Sequence, residues 1–188
     1  MADLILASSS PRRKELLQQV GLSFRTFSPD IDESVLHGES PDQYVLRLAE
    51  NKASAVSHQF PDAIIIAADT TLSVDGKIIG KPESKAHAFE IWQSLSGRSH
   101  EVYTGVCVVA QQQVKSTVVI TRVEFQTLSL NDMEQYWASG EPVGKAGGYA
   151  IQGIAAKFIP KIEGSYSNVV GLPLHETLQL LQQITSQG

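Results

Sequence analysis

The sequence predicts an α/β protein built around a mixed sheet. In the first half of the chain, short aliphatic runs alternate with amphipathic helical stretches, whereas two long β-rich stretches follow each other in the second half. The chain has 188 residues, of which 42% are hydrophobic and 19% charged. That length suits one domain over residues 1–188 with a substantial buried core.

The first predicted unit is a buried strand at Leu4–Ala7 that leads into a helix. Ser10 is a good N-cap, Pro11 suits the first helical position and Gly21 suits the C-terminal end. The remaining predicted strands of this half are Ser23–Phe27, the continuously aliphatic Ala63–Ala68, and a hairpin over Leu72–Ile79 that turns at Asp75-Gly76. The remaining helices, which show apolar residues at helical spacing, are Pro41–Gln59 and Ser84–Ser96.

The second half contains most of the predicted sheet. Its two long strands are Glu101–Ala110 and Lys115–Leu128, and a short helix over Asn131–Ser139 follows them. A strand at Lys157–Ile162 and an amphipathic helix at Leu174–Ile184 complete the prediction. Cys107, inside an aliphatic strand, is expected to be a buried core thiol.

Composition excludes several classes of function. Fifteen Lys and Arg against twenty Asp and Glu give a formal net charge of -5, which argues against an extended nucleic-acid partner. The single cysteine excludes an intramolecular disulfide framework and a multi-cysteine zinc site. Neither a signal peptide nor a run of about 20 apolar residues is evident. We therefore expect a soluble, cytoplasmic protein with no membrane partner.

A local cluster of cations follows the first strand, in the segment Ser8–Lys14. Backbone N–H groups at a helix start are unpaired, and the helix dipole favours negative charge there. Arg12, Arg13 and Lys14 therefore lie at the unfavourable end of the helix unless an anion binds between them and the serines. Alternatively they are three solvated charges. The serine-rich turn before Pro11 favours a phosphate site.

Candidate catalytic and metal-binding groups lie further along the chain. Asp69, followed by Thr70-Thr71, comes after an aliphatic strand and could act as a general base or metal ligand, or simply cap a turn. Lys52 emerges from an apolar helix face and either snorkels to solvent or reaches a polar cleft. Lys81 is a further cation on a turn. The acidic segment Asp30–Glu33 could hold Mg²⁺ or be an exposed loop.

A glycine-rich segment, Lys145–Gly153, offers close backbone approach to a ligand. Gln152 within it could recognise a base edge through its amide. The segment matches no P-loop or dinucleotide fingerprint, so a tight turn between strands remains the alternative.

Taken in order, these motifs resemble the Maf family of nucleoside triphosphate pyrophosphatases over nearly the whole chain. The matching segments are Leu6–Leu17, Asp32-Glu33, Arg47–Lys52, Ala68–Thr70, Gly80–Pro82, His100–Gly105, Lys145–Gly147, Tyr149–Gly153 and Gly164–Leu174. The resemblance implies the elongated mixed-sheet fold, with a central cleft between two lobes, that the family shares with the inosine triphosphatase group. It also implies hydrolysis between the α- and β-phosphates, giving a monophosphate and pyrophosphate with a divalent metal, Mg²⁺ or else Mn²⁺ or Co²⁺.

The resemblance also implies roles for individual residues. The family's proton-accepting aspartate falls on Asp69 and its motif glutamate on Glu33, and we expect one or both of these carboxylates to hold the metal. The phosphate-binding positions are Ser8, Ser10, Arg13, Lys52 and Lys81. A homodimer is a family-level expectation.

Three positions resemble the branch of the family that acts on dTTP and UTP, namely Arg12, Thr70 and Gln152. Two departures lie near Gln152: Ala155 stands where glycine is common, and Gly148 where alanine or serine is common. The same chemistry on a modified pyrimidine or a methylated purine nucleotide is an alternative. A nucleotide-binding regulator of cell division is another.

Overall fold

Seven strands form one mixed sheet, and helices cover both of its faces. The computed structural model describes residues 3–111 and 113–186. The strands are β1 (Leu4–Leu6), β2 (Arg25–Thr26), β3 (Ile64–Val74), β4 (Lys77–Ile79), β5 (Ser99–Ala110), β6 (Gln113–Glu124) and β7 (Lys161–Glu163). The helices are α1 (Pro11–Gln19), α2 (Pro41–Gln59), α3 (Lys85–Leu95), α4 (Leu130–Ala138), α5 (Tyr166–Val170) and α6 (Leu174–Thr185).

The sheet has the order β2-β1-β3-β5-β6-β7, with β4 paired to β3. The β2–β1 and β1–β3 pairs are parallel, and all the other pairs are antiparallel. The predicted mixed sheet is therefore confirmed. The hairpin prediction is confirmed as well, because Asp75 and Gly76 take positive φ values of 52° and 76° between β3 and β4.

Local sequence signals fix the ends of α1 as predicted. The Ser10 hydroxyl accepts a hydrogen bond from the Arg13 amide, and Pro11 opens the helix. Gly21, at φ 77°, provides the left-handed conformation just after the helix. The connection between β1 and α1 therefore carries the chain directly from the end of β1 to Arg12 and Arg13 in the first turn of α1.

The central strand β3 is longer than the sequence predicts. Asp69 was expected beyond the end of the strand, but β3 continues through it to Val74. The reason is that β1 pairs with β3 only as far as Ile66, whereas β5 pairs with β3 from Ile65 to Ser73. The antiparallel ladder on that side keeps the polar residues in strand conformation.

The helix α2 packs across β3 and β5 at very short range. Gly105 of β5 permits this approach, because a Cβ atom built there would lie 2.3 Å from the carbonyl oxygen of Val45. The two faces of β3 are both buried, with Ile65 and Ala67 under α2 and Ile66 and Ala68 facing α1 and α6. Cys107 lies in the core under α2, and burial raises the pKa of its thiol to about 12.

Two segments differ from the prediction. The expected strand at Lys157–Ile162 is a 3-10 helix over Ile154–Phe158 followed by the short strand β7. The carboxylate of Glu141 accepts hydrogen bonds from the amides of Ile154 and Ala155, and these two bonds hold the chain in a helical turn there instead of a strand. The short helix α5 was not predicted. Within the described residues no helix combines the length and the apolarity that a membrane crossing requires.

Candidate active site

A cavity of about 670 Å³ opens beside β3, at the level where β1 has ended. Its wall comes from the β1–α1 connection, the middle of β3, the segment after β4 and the glycine-rich segment that follows α4. Nine of the ten predicted site residues line it: Ser8, Ser10, Arg12, Arg13, Glu33, Lys52, Asp69, Thr70 and Lys81. The exception is Gln152, which is exposed on the turn after Tyr149 and is not part of the lining.

The charge of the cavity is opposite to that of the chain. Five cationic side chains line it against two carboxylates, although the whole chain has a formal net charge of -5. The cations are Arg12, Arg13, Lys52, Lys81 and Lys145, and the carboxylates are Glu33 and Asp69. A concave site with this excess of cations attracts a compact polyanion.

One lysine joins the two carboxylates. The Nζ of Lys52 lies 2.6 Å from Oδ1 of Asp69 and 2.7 Å from Oε1 of Glu33. Lys52 and Asp69 are each 8% exposed, so the snorkelling alternative for this lysine is wrong. The ammonium group of Lys52 thus lies between two carboxylate oxygens at nearly the same distance, and it attracts both of them.

The loop before α2 is tied to that helix so that Glu33 reaches the cavity. The Tyr44 hydroxyl donates to the Glu33 carbonyl at 2.9 Å, and Arg47 donates to the Ser34 carbonyl at 2.9 Å. Burial by itself would raise the pKa of Glu33, but the hydrogen bond and charge of Lys52 lower it overall. Asp32 instead accepts from the amide of Ser34 and stabilises the turn. Only part of the predicted acidic segment is thus directed to the site.

Arg13 is held along its whole guanidinium group. Its Nε donates to the Gly171 carbonyl at 2.8 Å, Nη1 to the Ser8 hydroxyl at 3.3 Å and Nη2 to the Thr70 hydroxyl at 3.0 Å. The Ser8 hydroxyl also accepts from the Ser10 amide at 3.1 Å. Serine hydroxyls, the first turn of α1 and a fixed guanidinium therefore converge, which is the arrangement predicted for a phosphate site.

A second group of cations lies toward the glycine-rich segment. Burial lowers the pKa of Arg12, and burial together with the charge of Arg12 lowers the pKa of Lys145. Lys81 is exposed, and the preceding Gly80 carbonyl accepts from the Gly147 amide at 2.9 Å. That bond connects the two cation-bearing segments.

The sequence did not predict that Tyr149 and His100 form a buried hydrogen-bonded pair. His100 is 2% exposed, and its Nε2 lies 2.6 Å from the hydroxyl of Tyr149. Tyr149 lines the cavity and packs edge-on against Phe125. The local sequence carries no signal for this pair, because His100 stands between Ser99 and Glu101, and polar neighbours are typical of an exposed strand position.

Comparisons with known proteins show the family to which the chain belongs. Residues 3–184 match the family model described as Maf-like protein. The chain is 66% identical over 179 residues to a dTTP/UTP pyrophosphatase of Acinetobacter baylyi, covering 95% of this chain and 98% of that protein. It is 50% identical over 183 residues to a dTTP/UTP pyrophosphatase of Symbiobacterium thermophilum, covering 97% and 94% respectively. The chain therefore belongs to the Maf family, as its motifs predict.

A solved structure shares the architecture. The structure of a HAM1 protein from Coxiella burnetii superposes with a TM-score of 0.55 at 19% identity, and the alignment covers 100% of both chains. At this identity the likeness concerns the fold alone, and it confirms the predicted fold class.

Proposed function

We propose that this protein is a nucleoside triphosphate pyrophosphatase that hydrolyses dTTP and UTP to the monophosphate and pyrophosphate. The observation that carries the proposal is the cavity in which five cations and two carboxylates meet in a chain that is otherwise acidic. Relatives at 66% and 50% identity bear the name dTTP/UTP pyrophosphatase and align over nearly the whole chain, which supports the same reaction here.

The residues divide into a water-activating group and a phosphate-binding group. Asp69 accepts a proton from a water molecule as the water oxygen attacks the α-phosphorus and the α–β phosphoanhydride bond breaks. Lys52, whose Nζ lies 2.6 Å from Oδ1 of Asp69, holds that carboxylate in position at the cavity. Phosphoryl transfer depends mainly on positioning and charge stabilisation, which Ser8, Ser10, Arg13 and Lys81 supply.

The two carboxylates fit a divalent metal ion of the magnesium type. Mg²⁺ is commonly held by one or two carboxylates together with substrate phosphates, and Glu33 and Asp69 already share one cation, the ammonium of Lys52. No group of three or more His, Cys, Asp or Glu able to hold a metal occurs in the described part of the chain. Glu33 and Asp69 would hold the ion together with the phosphates. When bound, it would screen the phosphate charge and lower the pKa of a coordinated water.

Metal binding can be tested without turnover, because Lys52 competes for the same carboxylates. Lys52→Met removes the ammonium from between Glu33 and Asp69, so Mn²⁺ added without nucleotide should bind more tightly than to the wild type. Electron paramagnetic resonance of free Mn²⁺ measures this binding. The double variant Lys52→Met with Glu33→Gln should lose the gain. Equal Mn²⁺ affinity of Lys52→Met and the wild type would contradict the assignment.

In this proposal Arg12, which lines the cavity, and Gln152, on the exposed turn outside the lining, contact the base of a nucleotide that extends from the cavity onto that turn. The third predicted specificity residue, Thr70, accepts from Arg13 and belongs to the phosphate side of the site. Guanidinium and amide N–H groups match the carbonyl oxygens of thymine and uracil, whereas the amino group of cytosine places a donor against a donor. A donor facing a donor leaves two unpaired groups in a desolvated site, at about 1–3 kcal/mol each, which corresponds to at least a tenfold preference for dTTP and UTP over CTP.

The deciding experiment follows pyrophosphate release from each common and methylated nucleoside triphosphate in the presence of Mg²⁺. We expect turnover of dTTP and UTP, at least tenfold above CTP. Asp69→Asn should abolish turnover while Asp75→Asn, whose carboxylate is exposed in an ion pair with Arg98, should not. Turnover of a purine nucleotide instead would overturn the base assignment. Nucleotide binding with no turnover of any substrate would overturn the enzymatic proposal in favour of a regulator.

A further inference from the structure

The guanidinium of Arg13 is held by a hydrogen-bond network that extends away from the cavity. Three of its N–H groups have acceptors within the described chain, namely the Gly171 carbonyl and the hydroxyls of Ser8 and Thr70. A guanidinium has five N–H donors in a rigid plane. Fixing three of them determines where the other two are directed and leaves those two for the phosphate oxygens of the proposed substrate.

Thr70 can hold Arg13 only if its own hydroxyl is oriented. Its oxygen accepts from Nη2 of Arg13 at 3.0 Å and lies 2.9 Å from the Thr104 hydroxyl and 3.3 Å from the Gly171 carbonyl. The Thr104 hydroxyl donates in turn to the Asn168 carbonyl at 3.3 Å. Each hydroxyl has one hydrogen, so either Thr70 donates to Thr104 and Thr104 to Asn168, or Thr104 donates to Thr70 and Thr70 to the Gly171 carbonyl. In both arrangements a continuous chain of hydrogen bonds joins Arg13 through Thr70 to Thr104 and ends on a main-chain carbonyl.

The far end of this chain is rigid. Asn168 is fully buried, and its Nδ2 donates to the Val102 carbonyl at 3.1 Å and to the Thr121 hydroxyl at 2.9 Å. It therefore fixes α5 to β5 and β6. The residue that follows α5 is Gly171, whose carbonyl accepts from Nε of Arg13. The contact of Arg13 with Gly171 and, through Thr104, its contact with Thr70 thus both depend on the segment that Asn168 holds in place.

We propose that Thr104 is a positioning residue for the reaction, acting through Thr70 to hold Arg13 against the nucleotide phosphates. Thr104 is fully buried and does not line the cavity, so it cannot contact the substrate itself. Its hydroxyl keeps the guanidinium in one orientation before the nucleotide arrives, and displacement of a phosphate-binding group by about 1 Å can reduce turnover a hundredfold. This inference rests on the proposed pyrophosphatase function.

The test removes the hydroxyl while retaining the shape of the side chain. Thr104→Val should lower kcat for dTTP by about tenfold to a hundredfold, the usual effect of removing a group that orients a ligand-binding residue. Thr104→Ser, which restores a hydroxyl, should recover most of the loss. The matched control is Thr177→Val, because Thr177 is equally buried and its hydroxyl donates to the Pro173 carbonyl, outside the chain that joins Arg13, Thr70 and Thr104. It should keep wild-type kcat.

Two readouts separate positioning of Arg13 from a general structural defect. In an Arg13→Lys background, Thr104→Val should change kcat by less than about twofold, because residues that act as a unit are not additive. The dTTP to CTP preference should stay at the wild-type ratio, since Arg13 contacts phosphates and not the base. Additive losses in the double variant, or a changed base preference, would overturn the inference.

The remaining outcomes are also decisive. Wild-type turnover is measured first, and its absence for every nucleotide would overturn the proposed function and this inference together. Wild-type kcat in Thr104→Val, with an active parent enzyme, would overturn this inference alone. If Thr104→Val melts below the assay temperature, Thr70→Val breaks the same chain from the cavity side. It must then show the same loss and the same non-additivity with Arg13→Lys for the proposal to stand.

Discussion

Acidification should destabilise the folded protein through His100. This side chain is 2% exposed. Its ring lies edge-on to those of Phe125 and Tyr149, with distances between ring centroids of 5.1 and 5.5 Å. Its Nε2 lies 2.6 Å from the Tyr149 hydroxyl. Its Nδ1 is buried without a hydrogen-bond partner among the described residues. Burial lowers the pKa of His100 from 6.5 to about 4, because a charged imidazolium in this environment loses its hydration.

The magnitude follows from the difference between the two pKa values. A shift of one unit corresponds to 1.36 kcal/mol, so 6.5 minus 4 gives about 3 kcal/mol. The unfolded state binds the proton more readily, so the free energy of unfolding decreases as pH falls from 6.5 to 4. Well above pH 6.5 His100 is neutral in both states and the free energy of unfolding is not reduced by its protonation. At pH 5 protonation of His100 in the unfolded state has lowered the free energy of unfolding by about 2 kcal/mol.

Urea unfolding between pH 7.5 and pH 4 measures this contribution. The wild type and His100→Gln should differ in pH dependence, because the variant cannot titrate at this position. The difference between the two curves should change by about 3 kcal/mol across the window. His58→Gln, which alters an exposed histidine at the end of α2, should follow the wild type. Parallel curves for the wild type and His100→Gln would refute the reasoning.

Two further substitutions test how the walls of the cavity are built. Glu141→Gln places an amide opposite the N–H groups of Ile154 and Ala155 that its carboxylate binds at 2.8 and 3.3 Å, so the turn that follows Gln152 should loosen. The dTTP to CTP preference should fall in competition assays, whereas Glu134→Gln, which changes an exposed ion pair between α4 and Lys85 of α3, should leave it unchanged. Gly105→Ala brings a Cβ to 2.3 Å from the Val45 carbonyl and should cost about 1–3 kcal/mol in urea unfolding. Gly80→Ala, with open space around the added carbon, is the control, and an equal cost in both variants would contradict the close-approach argument.

Local sequence signals predicted the helices well, because each helix carries its own start and stop. The boundaries of α2 agree with the prediction at both ends, since Ser40 forms a capping box with Gln43 and Pro41 opens the helix. The same holds for α3, where the Ser84 hydroxyl accepts from the amide of His87. The family motifs then placed nine of ten site residues on one cavity wall.

Features that depend on distant partners were not predictable in this way. Nothing near Asp69 in the sequence shows that β5 continues to pair with β3 as far as Ser73. Thr104 looks like any strand threonine until the fold brings it 2.9 Å from Thr70. The expected strand over Lys157–Ile162 failed for the same reason, because the carboxylate of Glu141 turns the chain just before it.

The early end of β1 explains how one cavity receives two chemically different groups. Consecutive side chains of a strand point to opposite faces of the sheet, so Asp69 lies on the face covered by α2 and Thr70 on the face covered by α1. Lys52 therefore reaches Asp69 from one side, and Arg13 reaches Thr70 from the other. A longer β1 would pair with β3 beyond Ile66 and would separate the space on one face of the sheet from the space on the other. Because β1 stops opposite Ile66, both faces of β3 open into the same space, and the proton acceptor and the phosphate-binding arginine can act on one nucleotide.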